Sequence, residues 1–230
     1  MSNLIINADD FGISKAVNYA VMAAMDSNIC TDTTLLVNFE ESENAANLAI
    51  SMDRTDRVGI HLNLTEGLPL SAKIRNEPRF CNQEGYFHHG KLKHIVQLSK
   101  SERIAVQEEL TSQIRLSRKF GIPISHADSH NHIHEEPGLA LLIMDLLKVE
   151  QIPYLRPANN IGETSVVNKL YRNFYNVILN FKKIFECNKT KLNIHKFEKE
   201  FEFEVKIFNK NQNMYDYFIE RQNQLFYFRL

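Results

Sequence analysis

Cysteine is scarce in this 230-residue chain, with Cys30, Cys81 and Cys187 far apart in the sequence. An odd number at such spacing fits neither a disulfide framework nor a CxxC metal motif, so a reducing compartment is expected. No apolar run approaches the roughly 20 residues of a membrane span. The short Leu4-Ile5-Ile6 run lacks the basic start and long apolar stretch of a secretory signal. A formal net charge of −1 supplies no broad field for a polyanion. These absences lead to the expectation of a soluble, cytoplasmic protein that binds neither nucleic acid nor membrane. Glycine is missing after Gly162 and proline after Pro157, while 15 of the 23 Phe and Tyr residues fall between Tyr171 and Phe228. Residues 160–230 therefore read as a divergent, aromatic-rich part of a single domain spanning 1–230. Its aromatics suit core packing, a dimer contact or a sugar-stacking wall, and residues 201–207 alternate like a strand with flanks that would also suit a helix.

What is present is ordinary globular material, 43% hydrophobic and 24% charged, enough for one large core. Residues 4–7 read as a buried strand, 15–27 as a helix capped by Ser14, and 33–38 as a second strand. A helix over 41–52 and a strand over 58–62 follow. Residues 65–94 form a long excursion beside a strand end, a candidate lid. The next helix, 101–120, has Ile104, Leu110, Ile114 and Phe120 inward and Glu108, Glu109, Arg115 and Lys119 outward, and it stops at Gly121. A strand over 124–127, a helix opened by Pro137 and a strand over 152–156 complete the readable part. Repeated β/α units favour a parallel sheet or barrel.

Three polar clusters stand behind these strands: Asn7-Ala8-Asp9-Asp10, His61-Leu62-Asn63 and the run from Asp128 to His134. Active sites of layered α/β folds and barrels collect at the carboxyl ends of parallel strands, so the clusters are expected to converge. Consecutive carboxylates leaving one strand end let one ligate a cation while the other stays free as a base. Gly12 behind them permits a tight turn. Gly59 lets the backbone pass close to His61, which by itself suits a structural role as well as a ligand role. Four histidines lie between residues 126 and 134. His130, at the strand-to-loop transition, points toward metal ligation. His126, His132 and His134 are ligands or supporting groups, and Asp128 either orients a histidine through its second ring nitrogen or is a solvated loop carboxylate.

In combination, Ile6-Asn7-Ala8-Asp9-Asp10-Phe11-Gly12, Thr33-Thr34 with Val37-Asn38, Gly59-Ile60-His61-Leu62 with Leu64-Thr65-Glu66-Gly67, and Ser125 to His134 resemble the YdjC-like carbohydrate deacetylases. The resemblance covers roughly residues 3–157. It implies an α/β fold, an irregular (β/α) barrel related to polysaccharide deacetylases, incomplete here in its C-terminal third. It also implies Asp10, His61 and His130 as ligands of Mg²⁺ or Zn²⁺ and Asp9 as general base. The implied reaction is hydrolysis of an N-acetyl group on an amino sugar or chito-oligosaccharide, giving acetate and a free amine.

One family feature is missing. No His-Pro pair occurs, and the only histidine after residue 134 is His195, a replacement acid or a surface or packing residue. Residues 215–222 look like the terminal helix region of the family, so an internal segment is absent. A missing strand would expose sheet edges, for which a homo-oligomer is one cover. Two other functions fit the residues: a catalytically impaired metal- and sugar-binding homologue, and another metal-dependent hydrolase such as a phosphoesterase. The latter would need cations converging on the site, with Arg75, Arg79 and Arg156 as candidates and Arg156 also suited to a salt bridge.

Overall fold

The structure, a computed structural model, describes residues 5–88 and 95–156. His195, the 201–207 run, the aromatic-rich part and barrel closure lie outside the described residues. The chain forms an α/β fold around a parallel sheet of four strands in the order β1 (Asn7–Phe11), β2 (Asp32–Leu35), β3 (Val58–Leu62) and β4 (Ala127–Ser129). Helix α1 (Lys15–Asp26) joins β1 to β2, and Ser14 caps it by accepting a hydrogen bond from Val17 N. Helix α2 (Ser42–Ser51) leads to β3 through a 3-10 turn. The long α4 (Lys100–Lys119) follows the short α3 (Ala72–Arg75), and α5 (Pro137–Val149) starts at the expected proline. None of these helices is long and apolar enough to cross a membrane.

Beyond β4, Ala127 N donates to Tyr154 O and Arg156 N to Ala127 O, so residues 154–156 begin a further parallel pairing. Strands spaced by about 4.8 Å would hold β1 and β4 about 14 Å apart in a flat sheet. Yet Asn7 Nδ2 lies 3.4 Å from Asp128 Oδ2 and His126 Nε2 lies 3.0 Å from Asn7 Oδ1. The sheet is therefore rolled, with β1 facing β4 across its concave side. Leu35, Val58, Ile60 and Leu62 are fully or almost fully buried, as strands covered by helices require.

Several boundaries shift from the sequence reading. Strands β1 and β4 begin three residues later than their apolar runs suggest, so the polar clusters lie within the strands as well as behind them. In α4 the inward face carries Ala105, Val106, Leu110 and Ile114, while Ile104 is exposed. Glu109, expected outward, is fully buried. Its carboxylate accepts from Leu70 N and Ser71 N at 3.1 and 2.6 Å and from Gln113 Nε2 at 2.8 Å. These three donors replace the water that the carboxyl oxygens lose on burial. The excursion expected as a lid is anchored by those bonds and by Ile74, Phe80 and Phe87 in the core.

Candidate active site

Strand periodicity and register decide which side chains share the concave face. Asn7 is level with Asp32, Thr34 with Gly59, and His61 with Asp128. Alternate residues share a face, so Asn7, Asp9, Thr34, Gly59, His61, His126 and Asp128 belong together. Gly59 is needed because a Cβ would lie 2.6 Å from His126 O and 2.8 Å from the His126 ring. His126 thus covers Gly59, and its ring bonds Ser125 Oγ and Asn7 Oδ1. It supports β1 and does not join the clustered ligand atoms.

Asp10 would fall on the opposite face of a regular strand. The β1–β2 register shifts between Ala8 and Phe11, and Asp10 takes a left-handed φ of 65°. Such a bulge re-aims a side chain, and Asp tolerates this conformation better than most residues. Asp10 Oδ1 consequently lies 3.2 Å from His61 Nε2 and 2.8 Å from His130 Nδ1. Ligand atoms of Asp10, His61 and His130 all lie within 4.8 Å of one another. Gly12, with φ 103°, completes the turn, where a Cβ would meet Leu36 O at 2.4 Å.

Carboxylates hold both imidazoles from behind. His61 Nδ1 donates to Asp128 Oδ1 at 2.6 Å, and Thr34 Oγ1 donates to Asp128 Oδ2 at 3.1 Å. Asp128 is buried, which settles its role as a group that orients a histidine. With Nδ1–H committed, the lone pair of neutral His61 is at Nε2 and faces Asp10. His130 Nε2 lies 2.8 Å from Glu66 Oε2, placing a second carboxylate behind the second imidazole. In the sequence Glu66 stands out only as part of the Leu64-Thr65-Glu66-Gly67 run. Its backbone is fixed by bonds from Asn63 Nδ2 and Asn38 Nδ2 to its carbonyl.

Four imidazole nitrogens therefore face carboxylates, while two neutral rings have only two N–H groups. The arrangement requires added positive charge near Asp10. Without an ion, protons supply it: burial disfavours charged His61, but the charge of Asp128 and bonds to Asp10 and Asp128 outweigh burial and push it up to about 10. His130 is raised by Asp10 and Glu66 against the same burial effect. Hydrogen bonds from His130 and His61 hold the Asp10 carboxyl well below its usual range. One carboxylate and two imidazoles with carboxylate backing are also a donor set that fits a divalent metal ion.

Asp9 leaves β1 toward Arg156. Arg156 Nη1 lies 3.2 and 2.9 Å from its two carboxylate oxygens, and Asn7 Nδ2 donates to Oδ1 at 2.8 Å. Arg75 instead bonds Pro69 O, and Arg79 bonds Gln97 O and pairs with Glu102. Of Arg75, Arg79 and Arg156, only Arg156 reaches the site, where Asp9 engages it. His132 and His134 form a separate group with Glu135. Burial pushes His134 down to about 4.

The chain is 36% identical over 179 residues to a carbohydrate deacetylase of Clostridium beijerinckii, covering 76% of this chain and 69% of that one. It is also 36% identical over 154 residues to a carbohydrate deacetylase of Brevibacillus brevis, covering 67% and 59% of the two chains. The matching carbohydrate deacetylase of Geobacillus stearothermophilus is 36% identical and is covered over 58% of its length. The chain thus spans less than two thirds of the latter two relatives. A crystal structure of a proposed cellobiose-phosphate cleavage protein from Enterococcus faecalis V583 superposes with a TM-score of 0.58 at 26% identity, covering 76% of this chain and 64% of that one. With residues 3–225 matching the family described as YdjC-like protein, the chain belongs to that family.

Proposed function

We propose that the protein is a metal-dependent carbohydrate deacetylase that hydrolyses the N-acetyl group of an amino sugar or chito-oligosaccharide. The observation that carries this reading is the convergence of Asp10, His61 and His130 next to a separately held carboxylate, Asp9. The names of its relatives supply the substrate class. Asp10, His61 and His130 hold Zn²⁺ or Mg²⁺; two imidazoles favour zinc. A bound ion supplies Lewis acidity toward the acetamide carbonyl and its attacking water.

The chain's own residues do the remainder. Arg156 and Asn7 fix the Asp9 carboxylate, while Oδ2 keeps a lone pair with which to take the proton of that water. Asp128 and Glu66 keep the imidazole tautomers in place. The half-exposed side chains of Asp9 and Asp10 leave this end open to substrate. The C–N bond breaks as a proton passes to the departing nitrogen, giving acetate and a free amine.

Acetate release from N-acetylated chito-oligosaccharides, with Zn²⁺ and Mg²⁺ loaded separately, tests the reading. Release should require the ion and collapse in Asp9→Asn while metal occupancy persists. Metal-loaded protein that releases no acetate from any of these substrates would overturn it, and faster turnover of a phosphate ester would point to the phosphoesterase alternative.

A further inference from the structure

We propose that His132, His134 and Glu135 form a second divalent-metal site, of the zinc class and separate from the centre at Asp10. Their ligand atoms lie within 4.8 Å of one another, a distance from which one small ion reaches three donors. His132 Nδ1 is buried and makes no hydrogen bond, although Glu135 Oε1 is only 3.3 Å away. A buried imidazole nitrogen left in that state calls for a specific explanation, and an ion shared with the carboxylate provides one.

The other ring is held for the same task. His134 Nδ1 bonds Ser129 Oγ, which also accepts from His134 N at 3.0 Å. That contact fixes the orientation of the ring. The two imidazole centroids are 6.1 Å apart. Asn131 and His132 have consecutive left-handed φ values of 53° and 55°, and Asn131 Nδ2 is bonded to Thr65 Oγ1. The chain reverses there, so His130 faces Asp10 while His132 meets Glu135. Non-glycine residues keep such backbone only where their surroundings over-determine it.

Two imidazoles and one carboxylate suit Zn²⁺ or Co²⁺ rather than Mg²⁺ or Ca²⁺, which prefer oxygen ligands. An ion bound here ties the turn after β4 to the start of α5. The expected total of two ions rests on the metal-centre reading above; the second ion does not.

The test counts zinc per chain in the full-length protein, stripped with chelator, reloaded, desalted and measured by elemental analysis. The unaltered protein should keep two ions, His61→Ala one, and His132→Ala combined with Glu135→Gln one. Each variant that retains an ion thereby reports a folded site, and Co²⁺ loading should give a different visible spectrum for each. Loss of all zinc from a folded His61→Ala protein would overturn the proposal, as would two ions in the double variant. One ion in the unaltered protein, lost on changing His132 but kept on changing His61, would support this site and sink the centre at Asp10.

Discussion

Replacing Asp128 by Asn tests the metal-centre reading at a residue that would not touch the ion. Asp128 Oδ1 accepts from His61 Nδ1 at 2.6 Å, and Oδ2 receives Thr34 Oγ1 at 3.1 Å with Arg156 Nη1 at 3.5 Å. An asparagine has two ways to fit. With its oxygen toward His61, the amide NH2 confronts the hydroxyl and guanidinium donors that the carboxylate satisfied. With its NH2 toward His61, Nδ1 must become the acceptor, and the ring proton moves to Nε2. That proton occupies the lone pair needed for metal. Either orientation weakens binding, and loss of such a supporting carboxylate typically lowers metal affinity by about 10- to 100-fold. Since both orientations are frustrated, we expect the upper end, or about 2.7 kcal/mol. Competition against a chromogenic zinc chelator gives the affinity, and circular dichroism checks the fold. Unchanged affinity in a folded Asp128→Asn protein would refute the argument that this carboxylate fixes the His61 tautomer.

Three further outcomes are expected. Arg156→Ala should lower kcat by about 100-fold, the scale of a misplaced catalytic group, while leaving zinc affinity intact in the same titration. Gly12→Ala forces a side chain into φ 103° with its Cβ 2.4 Å from Leu36 O, and should cost about 1–3 kcal/mol in urea unfolding. Glu109→Ala removes the acceptor for Leu70 N, Ser71 N and Gln113 Nε2. Unpaired donors of this kind cost about 1–3 kcal/mol each, so limited proteolysis should cut the 65–88 excursion faster than in the unaltered protein.

The β/α order, the Ser14 cap, β3 and the Pro137 helix start were legible because each follows from local chemistry: apolar run length, a capping hydroxyl, or a ring that fixes φ. Local pattern could not show that Glu109 turns inward. Its reason is the pair of backbone N–H groups about 40 residues earlier, and only tertiary structure brings them together. Glu66 supports His130 from 64 residues earlier, a pairing that local pattern does not show either. The sequence leaves the residues near His130 alike as ligands or supports, whereas the structure gives His126 to Asn7 and groups His132 with His134 and Glu135. A sequence shows that histidines are dense; backbone conformation decides where each one faces.

That point is sharpest at Asp9 and Asp10. Periodicity would send adjacent residues to opposite faces, making a shared site the less natural expectation for the pair. Asp9 lies in phase with Asn7 and so reaches Arg156 on the concave face without distortion. Asp10 reaches His61 and His130 only because β1 breaks register and Asp10 adopts a left-handed φ. Gly12 then continues the turn without placing a Cβ against Leu36 O. The bulge thus converts an alternating strand into two neighbouring carboxylates with separate partners, one bound to arginine and the other to imidazoles. Those partners divide the work we propose: the arginine fixes the carboxylate of Asp9, the proposed proton acceptor, while the imidazoles lie beside Asp10 in the proposed donor set.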